Sequence, residues 1–163
     1  MFDDVWETLL GRLEGITAEE LAWEPVAHSW GVRPDQDGTV IADEHDADAA
    51  PGPVPTINWR LWHIAGDCLD EYSMRAFGSK GASVSGQTWH LDPGPVLVDL
   101  DAAYTTFRHA FMERGAPEAW AELGTSWGQW QRHNLYDLAH HALREVTHHA
   151  AEVALLRDLY RER

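Results

Sequence analysis

Apolar residues recur at intervals of three and four along four stretches of the chain, and this spacing predicts four amphipathic helices. Helix-ending glycines follow two of these stretches, at Gly15 and Gly78, and Thr56 is a suitable N-cap for the second. The last stretch contains neither Gly nor Pro, so its helix is the longest that the pattern predicts. The predicted helices span residues 2–13, 56–77, 99–113 and 134–161.

The segments between these helices are short helical pieces or irregular chain. Thr17 and Glu20 have the spacing of a capping box and predict a short helical turn, and 118–123 predicts another. Segment 27–55 is acidic and contains prolines, which indicates either a solvated loop or a lid over a site. Segment 79–95 is rich in Gly and Ser and is also predicted to be irregular. With no strand-like alternation and no repeat, the pattern predicts an all-α four-helix bundle forming one domain, 1–163.

Composition narrows the class of protein. A hydrophobic fraction of 44% with 24% charged residues is typical of a globular domain, and no apolar run is long enough to span a membrane. The acidic N-terminus lacks the basic start of a secretory signal, so a cytoplasmic location is expected. A net charge of -15 disfavours nucleic acid and anionic membranes as partners. The single cysteine, Cys68, excludes an internal disulfide and a multi-thiolate zinc site, and it is interpreted as a small buried hydrophobe.

The last predicted helix carries a carboxylate and an imidazole on its apolar stripe. At about 100° per residue, Glu145 and His149 lie one turn apart on the face that otherwise carries Leu and Ala. A charge on a buried stripe is costly unless it is paired or bound to a metal, so either a hydrogen-bonded pair or a metal chelate is indicated. Within the doublets His140–His141 and His148–His149, neighbours point about 100° apart, so only one of each doublet can face a given site.

The second predicted helix offers His63 on the shoulder of its apolar face, beside Trp59, Gly66 and Asp67. A mid-helix glycine costs about 1 kcal/mol relative to alanine, so Gly66 indicates that space is needed next to His63. That space suits either a facing helix or a ligand. His63 is therefore a satisfied interior histidine or a metal ligand.

Three segments carry a resemblance to a known family. TINWRLWHIAGDCLDEY (56–72), REVTHHAAEVALLRDLY (144–160) and LAWEPVAHSWGVRPD (21–35) resemble segments of the DinB-like (YfiT-like) superfamily of metal-binding four-helix bundles. The resemblance implies metal ligands at His63 and His149, and places Glu145 where many members have a histidine. A His, Glu and His ligand set is similar to that of the mycothiol-dependent maleylpyruvate isomerases.

This resemblance implies one divalent transition metal ion, zinc or nickel first and iron or manganese next, with coordination positions left open. It also implies a low-molecular-weight thiol such as mycothiol or bacillithiol, and a homodimer. Asp67 and His141 lie one turn from a ligand and are candidates for orienting the ligands or moving protons. Trp59, Trp62 and Trp30 either line a cofactor pocket or belong to the core.

Two classes of function follow. The first is a metal-dependent transferase or isomerase that activates a thiol toward a small electrophile. The second is a non-catalytic metal-binding or stress-response protein whose site is structural or vestigial. An oxygen-using iron enzyme is a further alternative, because two histidines and one carboxylate also form a facial triad.

Overall fold

The computed structural model describes residues 1–43, 53–79 and 88–163, and most of this chain is helical, which confirms the all-α class. Its α-helices are α1 (Phe2–Leu13), α2 (Ala18–Ala22), α3 (Ile57–Trp62), α4 (Glu71–Phe77), α5 (Pro93–Met112), α6 (Ala116–Ala119) and α7 (Leu135–Arg161). A π-helical segment, His63–Asp70, joins α3 to α4, and a 3₁₀ segment, Thr125–Trp130, precedes α7.

The long helices enclose one hydrophobic core. Helix α1 packs on α7, while α3 and the π segment contact both α5 and α7. This arrangement brings the middle of α7 against the π segment, which is where the candidate site lies. The largest fully buried side chains are Trp59, Phe107, Leu9, Leu13, Leu21, Ile57, Leu61, Ile64, Leu69, Leu100, Val96 and Val146.

The third long helix begins earlier than the sequence pattern predicts, at Pro93 instead of Asp99. Proline is tolerated in the first turn of a helix because the N–H that it lacks has no intrahelical acceptor there. The prolines and glycine of that turn therefore do not break the helix, although they conceal its start. The remaining long helices have the predicted bounds to within a residue at their outer ends.

The predicted irregular segment 27–55 contains a small antiparallel hairpin, which corrects the expectation of a chain without strands. Strand β1 (Val32–Pro34) pairs with β2 (Val40–Ala42). Between them, the Asp35 carboxylate accepts hydrogen bonds from two backbone N–H groups, and Gly38 adopts φ +81°, which favours glycine. Three residues per strand are too few to show alternation. The acidic residues Glu44, Asp46 and Asp48 of this segment, and the middle of 79–95, lie outside the described residues.

The hairpin is tied to α3 by backbone and side-chain hydrogen bonds. The indole Nε1 of Trp59 donates to the carbonyl of Asp43 at 3.0 Å, and the Thr56 N–H donates to the Trp30 carbonyl at 2.7 Å. Thr56 also caps α3, because its side chain accepts from the N–H of Trp59. The described part of the hairpin is thus packed against the helix that leads into the candidate site.

A buried ion pair joins α2 to the last turns of α7. Arg157 donates through Nε to Glu20 Oε1 at 2.6 Å, and through Nη1 to the carbonyls of Arg12 and Glu14. Both charged side chains are nearly inaccessible to water. No helix of the described residues is both long enough and apolar enough to cross a membrane.

Candidate metal centre

The π segment holds His63 at both nitrogens of its ring. His63 Nδ1 lies 3.1 Å from Asp67 Oδ2, and His63 Nε2 lies 4.0 Å from Cys68 Sγ. In an α-helix, residues five positions apart point about 140° away from each other. The i→i+5 hydrogen bonding of a π-helix takes one more residue per turn, so it returns Cys68 to the face of His63.

Helix α7 supplies the opposite wall. Its start is fixed by a capping box in which Asn134 accepts from backbone N–H groups and Asp137 binds back to the Asn134 N–H. Further along, His149 Nε2 lies 3.2 Å from Glu145 Oε2, and the ring of His149 meets that of His63 edge-to-face at 4.9 Å between centroids. His63 is therefore brought together with Glu145 and His149, which lie more than eighty residues further along the chain.

Three groups from the two walls are close enough to share one metal ion. Ligand atoms of His63, Cys68 and Glu145 all lie within 4.8 Å of one another. His149 is outside this group but directly beside it, in contact with Glu145. Imidazole nitrogen, carboxylate oxygen and sulfur are donors that zinc accepts, so the side chains fit a transition metal. Cys68, interpreted from the sequence as a hydrophobe, is a donor that the helical periodicity could not indicate.

A carboxylate stands behind each histidine. Asp67 contacts Nδ1 of His63, and Glu152 contacts Nδ1 of His149 at 2.8 Å. Glu152 is in turn held by Arg60, at 2.7 Å. Metal-bound histidines commonly have such a partner, which fixes the tautomer and leaves Nε2 for the metal. Glu152 was on the predicted inner stripe, three residues after His149, but nothing in the pattern assigned it this contact.

The charges of the centre follow from burial and from these contacts. Burial lowers the pKa of His149, which favours its neutral, metal-binding form. Burial alone would raise the pKa of Glu145 and that of Glu152. A hydrogen bond from Arg144 with the charges of His149, His141 and Arg144 lowers the pKa of Glu145, and a hydrogen bond from His149 with the charges of Arg60 and of His149 and His148 lowers that of Glu152. Burial, with the charges of Glu145 and Asp67, raises the pKa of Cys68 to about 12. Without a cation, the thiol is therefore protonated at neutral pH.

His141 lies on the same side of α7, one turn before Glu145. Arg144 can only donate, so His141 Nε2, 3.1 Å from Arg144 Nη2, accepts, and the ring proton sits on Nδ1. That Nδ1 is 2.9 Å from the hydroxyl of Tyr72, and Tyr72 is close enough to Cys68 to oppose part of the rise in the pKa of its thiol. Burial lowers the pKa of His141. His141 thus contacts the centre through Tyr72 and lies 3.7 Å from Glu145 Oε1.

A comparison with known protein families identifies the fold that carries this centre. The model of the DinB superfamily matches residues 1–153. The chain belongs to the DinB superfamily. No curated protein and no solved structure matches it. Membership agrees with the predicted resemblance, whereas the His63, Glu145 and His149 ligand set and the likeness to the mycothiol-dependent isomerases remain predictions.

The remaining members of the two histidine doublets, His140 and His148, lie outside the donor group. The side chain of His148 is 66% exposed, stacks on the ring of His149 at 4.9 Å between centroids and approaches Glu152 Oε1 at 3.7 Å. His140 lines a cleft beside the centre, together with His141. The geometry therefore places one member of each doublet, His141 and His149, nearest to the donor group.

The tryptophans predicted to line a cofactor pocket have different positions. Trp59 is fully buried and stacks on the ring of His63, with 5.3 Å between centroids and 10° between planes. Trp62 is buried in the core, and Trp30 packs against Trp59 at 5.0 Å. Trp59 therefore packs against one face of His63, a candidate ligand. A role for Trp59 and Trp62 in contacting a cofactor stays a prediction.

A cleft of about 350 Å³ lies next to the centre, between α4, the 3₁₀ segment and the first half of α7. Its walls include Trp127 and Trp130, which the sequence pattern left in an unassigned loop. Tyr72, His141 and Arg144 belong both to this cleft and to the contacts around Glu145 and Cys68. The sequence signal that could have located it is the pair of tryptophans three residues apart in GTSWGQW.

Proposed function

We propose that this DinB-superfamily protein is a metal-dependent transferase or isomerase. In this proposal the chain is a cytoplasmic four-helix bundle, and one divalent transition metal ion is held by His63, Glu145 and His149. The proposed enzyme acts on a low-molecular-weight thiol, which is mycothiol by family resemblance, and on a small electrophile. The observation that carries the proposal is the pair of imidazoles, each bound at Nδ1 by a carboxylate, that meet beside Glu145.

The nature of the donors limits the metal. Two imidazole nitrogens and one carboxylate oxygen suit zinc or nickel, and also iron or manganese. A bound cation of this kind would lower the pKa of a thiol or of water and so supply a nucleophile near neutral pH.

The chain's own residues orient and accept protons. Asp67 and Glu152 hold the two imidazoles in the tautomer that presents Nε2. Glu145 is kept ionised by Arg144. Burial lowers the pKa of His141, which favours its neutral form. Its unprotonated Nε2 accepts from Arg144 beside Glu145, so in this proposal it takes up a proton from an incoming thiol once Arg144 has moved off it.

One observation favours the competing class, a structural metal site. Cys68 lies within the donor group, and a fourth protein ligand would close a tetrahedral zinc site and leave no open position. Whether Cys68 coordinates the ion therefore separates a catalytic centre from a structural one. A sulfur-sensitive measurement is needed, because metal content alone is the same in both cases.

The first test is metal content by elemental mass spectrometry. About one transition-metal ion per chain is expected for wild type, with a large loss in His149→Ala, because a chelate with three protein ligands loses one. His148→Ala is the matched control from the same doublet and should retain the ion, since its side chain is mostly exposed. Absence of any bound ion after reconstitution would refute the proposal.

The second test uses cobalt-substituted protein and its sulfur-to-metal charge-transfer band. For the catalytic centre, the band is expected only after mycothiol or a simpler thiol is added, and it should persist in Cys68→Ala. A band already present without added thiol, and lost in Cys68→Ala, would show that Cys68 fills the site and would favour the structural function. Cys68→Ala thus controls for the protein's own sulfur.

A further inference from the structure

We propose that the cleft beside the centre binds a small aromatic molecule that carries a carboxylate, and that the electrophile of the proposed reaction belongs to this class, with its electrophilic carbon apart from the unreactive carboxylate. The cleft, here called the aromatic cleft, is formed by Tyr72, Leu123, Trp127, Trp130, His141 and Arg144, with further residues of α7 at its edge. That the bound molecule is a substrate rests on the proposed function. The binding itself can be measured without metal or thiol.

The aromatic cleft lies directly beside the candidate metal centre. Tyr72 lines the cleft and reaches toward the centre, because its hydroxyl lies 2.9 Å from His141 Nδ1 and Tyr72 is close enough to Cys68 to influence the pKa of the thiol. Arg144 reaches Glu145 Oε1 at 2.7 Å from the same wall of the cleft. A molecule seated in the aromatic cleft is therefore separated from the candidate metal ligands by a single layer of side chains.

The aromatic cleft has the size and the walls of a site for a small planar molecule. The volume of about 350 Å³ is that of a small-molecule site. Trp127 is 7% exposed and Trp130 is 48% exposed, so one indole forms a fixed wall and the other an accessible edge. The guanidinium of Arg75 covers the ring of Trp127 at 4.2 Å and helps to hold it in place. Rigid indole faces favour planar rings over puckered ones.

The cleft presents a positively charged side chain. The whole chain carries a net charge of -15, yet the cleft presents Arg144, whose side chain is 70% exposed. Arg144 uses Nε and Nη2 on Glu145 and His141, and its Nη1 has no partner among the described residues. The carboxylate at the cleft, Asp137, contacts the Asn134 N–H and His133, both through Oδ2. A donor of a cation that has no protein partner, next to an acid engaged through one oxygen, favours a carboxylate ligand.

The experiment measures binding of benzoate to the full chain after removal of metal with a chelator, by tryptophan fluorescence and calorimetry. Benzamide, which is uncharged, and cyclohexanecarboxylate, which is not planar, are the two reference probes. Benzoate is expected to bind about tenfold more tightly than either, the difference that one charge-assisted hydrogen bond or one aromatic contact supplies.

The variants assign the two contacts. Arg144→Gln should weaken benzoate about tenfold and leave benzamide unchanged, whereas Trp130→Leu should weaken both aromatic probes. Arg161→Gln, in the last turn of the same helix, is the matched control and should bind benzoate like wild type. Trp130 is half exposed, so its replacement is not expected to unfold the protein, and circular dichroism verifies this.

Two outcomes would overturn the inference. In the first, benzoate binds no more tightly than benzamide or cyclohexanecarboxylate. In the second, Arg144→Gln and Arg161→Gln bind benzoate with equal affinity. Because the measurement uses metal-free protein, its failure leaves the metal content and the cobalt band unaffected. Conversely, if the protein never binds metal but still binds benzoate, the proposed function is contradicted. The inference that the cleft binds aromatic carboxylates then still holds.

Discussion

The histidines of the candidate metal centre are each oriented by an acidic residue a few positions further along the same helix. Asp67 follows His63 by four residues and Glu152 follows His149 by three, so each carboxylate reaches Nδ1 over one helical turn. This directs both Nε2 atoms toward the donor group, that of His63 toward Cys68 and that of His149 toward Glu145. The ligand geometry is thus built locally, within each helix, before the two helices meet.

Replacement of Glu152 tests this local support. Glu152→Gln is expected to lower metal affinity about ten- to hundredfold, because loss of a carboxylate behind a ligand histidine weakens its basicity and orientation. Competition with a metal-binding dye measures the affinity. Glu71→Gln, which removes another helical Glu–Arg pair on α4, is the control and should have wild-type affinity. Equal affinities in the two variants would show that Glu152 does not orient the ligand.

Asp70 is a buried carboxylate whose oxygens have no hydrogen-bond partner among the described residues. Burial, with the charge of Asp99, raises its pKa from 3.8 to about 6. Between these pH values the folded state binds more protons than the unfolded state, so this group's contribution to stability falls as pH rises from about 4 to above 6. At neutral pH the ionised carboxylate therefore destabilises the fold.

We predict that Asp70→Asn stabilises the protein at pH 7.5 by about 1–3 kcal/mol, and by little at pH 4. Urea unfolding of chelator-treated protein at both pH values measures the free energy of unfolding, with metal release removed as a second variable. Glu7→Gln, an exposed carboxylate on α1, serves as reference. A stabilisation that does not depend on pH would mean that Asp70 is not protonated preferentially in the folded state.

At the level of elements, the periodicity of apolar residues was sufficient for most helices and insufficient for two features. It predicted α1 and α7 because their inner faces follow α-helical spacing without interruption. It placed the start of α5 six residues late, because prolines within a first turn resemble a loop. It also missed the π segment, since a pattern of threes and fours cannot signal i→i+5 winding.

The same limits explain which site residues could be predicted. His63, Glu145 and His149 were identifiable because of their residue types, their positions near apolar faces and their family resemblance. Cys68 was not, because α-helical spacing directs it away from His63. Trp127 and Trp130 were not, because a 3₁₀ segment that includes a glycine with φ +56° carries no periodic signal.

The ion pair between α2 and α7 gives a prediction about how elements are joined. Arg157→Met is expected to destabilise the protein by about 3–5 kcal/mol, because Glu20 would remain as a buried, uncompensated charge. Chemical denaturation measures this change. Adding Glu20→Leu should recover much of the loss, since replacing both partners removes the unpaired charge. Arg161→Met, exposed on the same helix, should change stability little, and an equally large loss there would contradict the explanation.

Over the whole molecule, the core extends well beyond the candidate ligands. Its largest side chains are distributed along α1, α2, α3, the π segment, α5 and α7, and the candidate ligands have hydrogen-bond or ring contacts within the protein. We therefore expect a core that does not depend on the metal. This differs from small zinc domains, which fold only when the ion binds. A single domain over 1–163 and a homodimer both remain predictions for the complete chain.

Removal of the metal should therefore leave a folded protein. Chelator-treated protein is expected to keep its far- and near-ultraviolet circular dichroism and to melt cooperatively, at a temperature lowered only by the lost binding free energy. Restoring the ion should raise the melting temperature in proportion to the logarithm of its free concentration. Loss of near-ultraviolet signal after chelation would show instead that the ion holds the helices together.

The π segment also bears on how this chain should be aligned with other members of its superfamily. Here, residues four and five positions after His63 both reach its ring, one at each nitrogen. In a relative with an uninterrupted α-helix the residue five positions on would be out of reach, and of these two positions only the residue four positions on would remain. An ungapped alignment would then pair that residue with Asp67, although it can occupy the place of Cys68. The position of a one-residue gap in this helix therefore decides which relatives are judged to share the thiol.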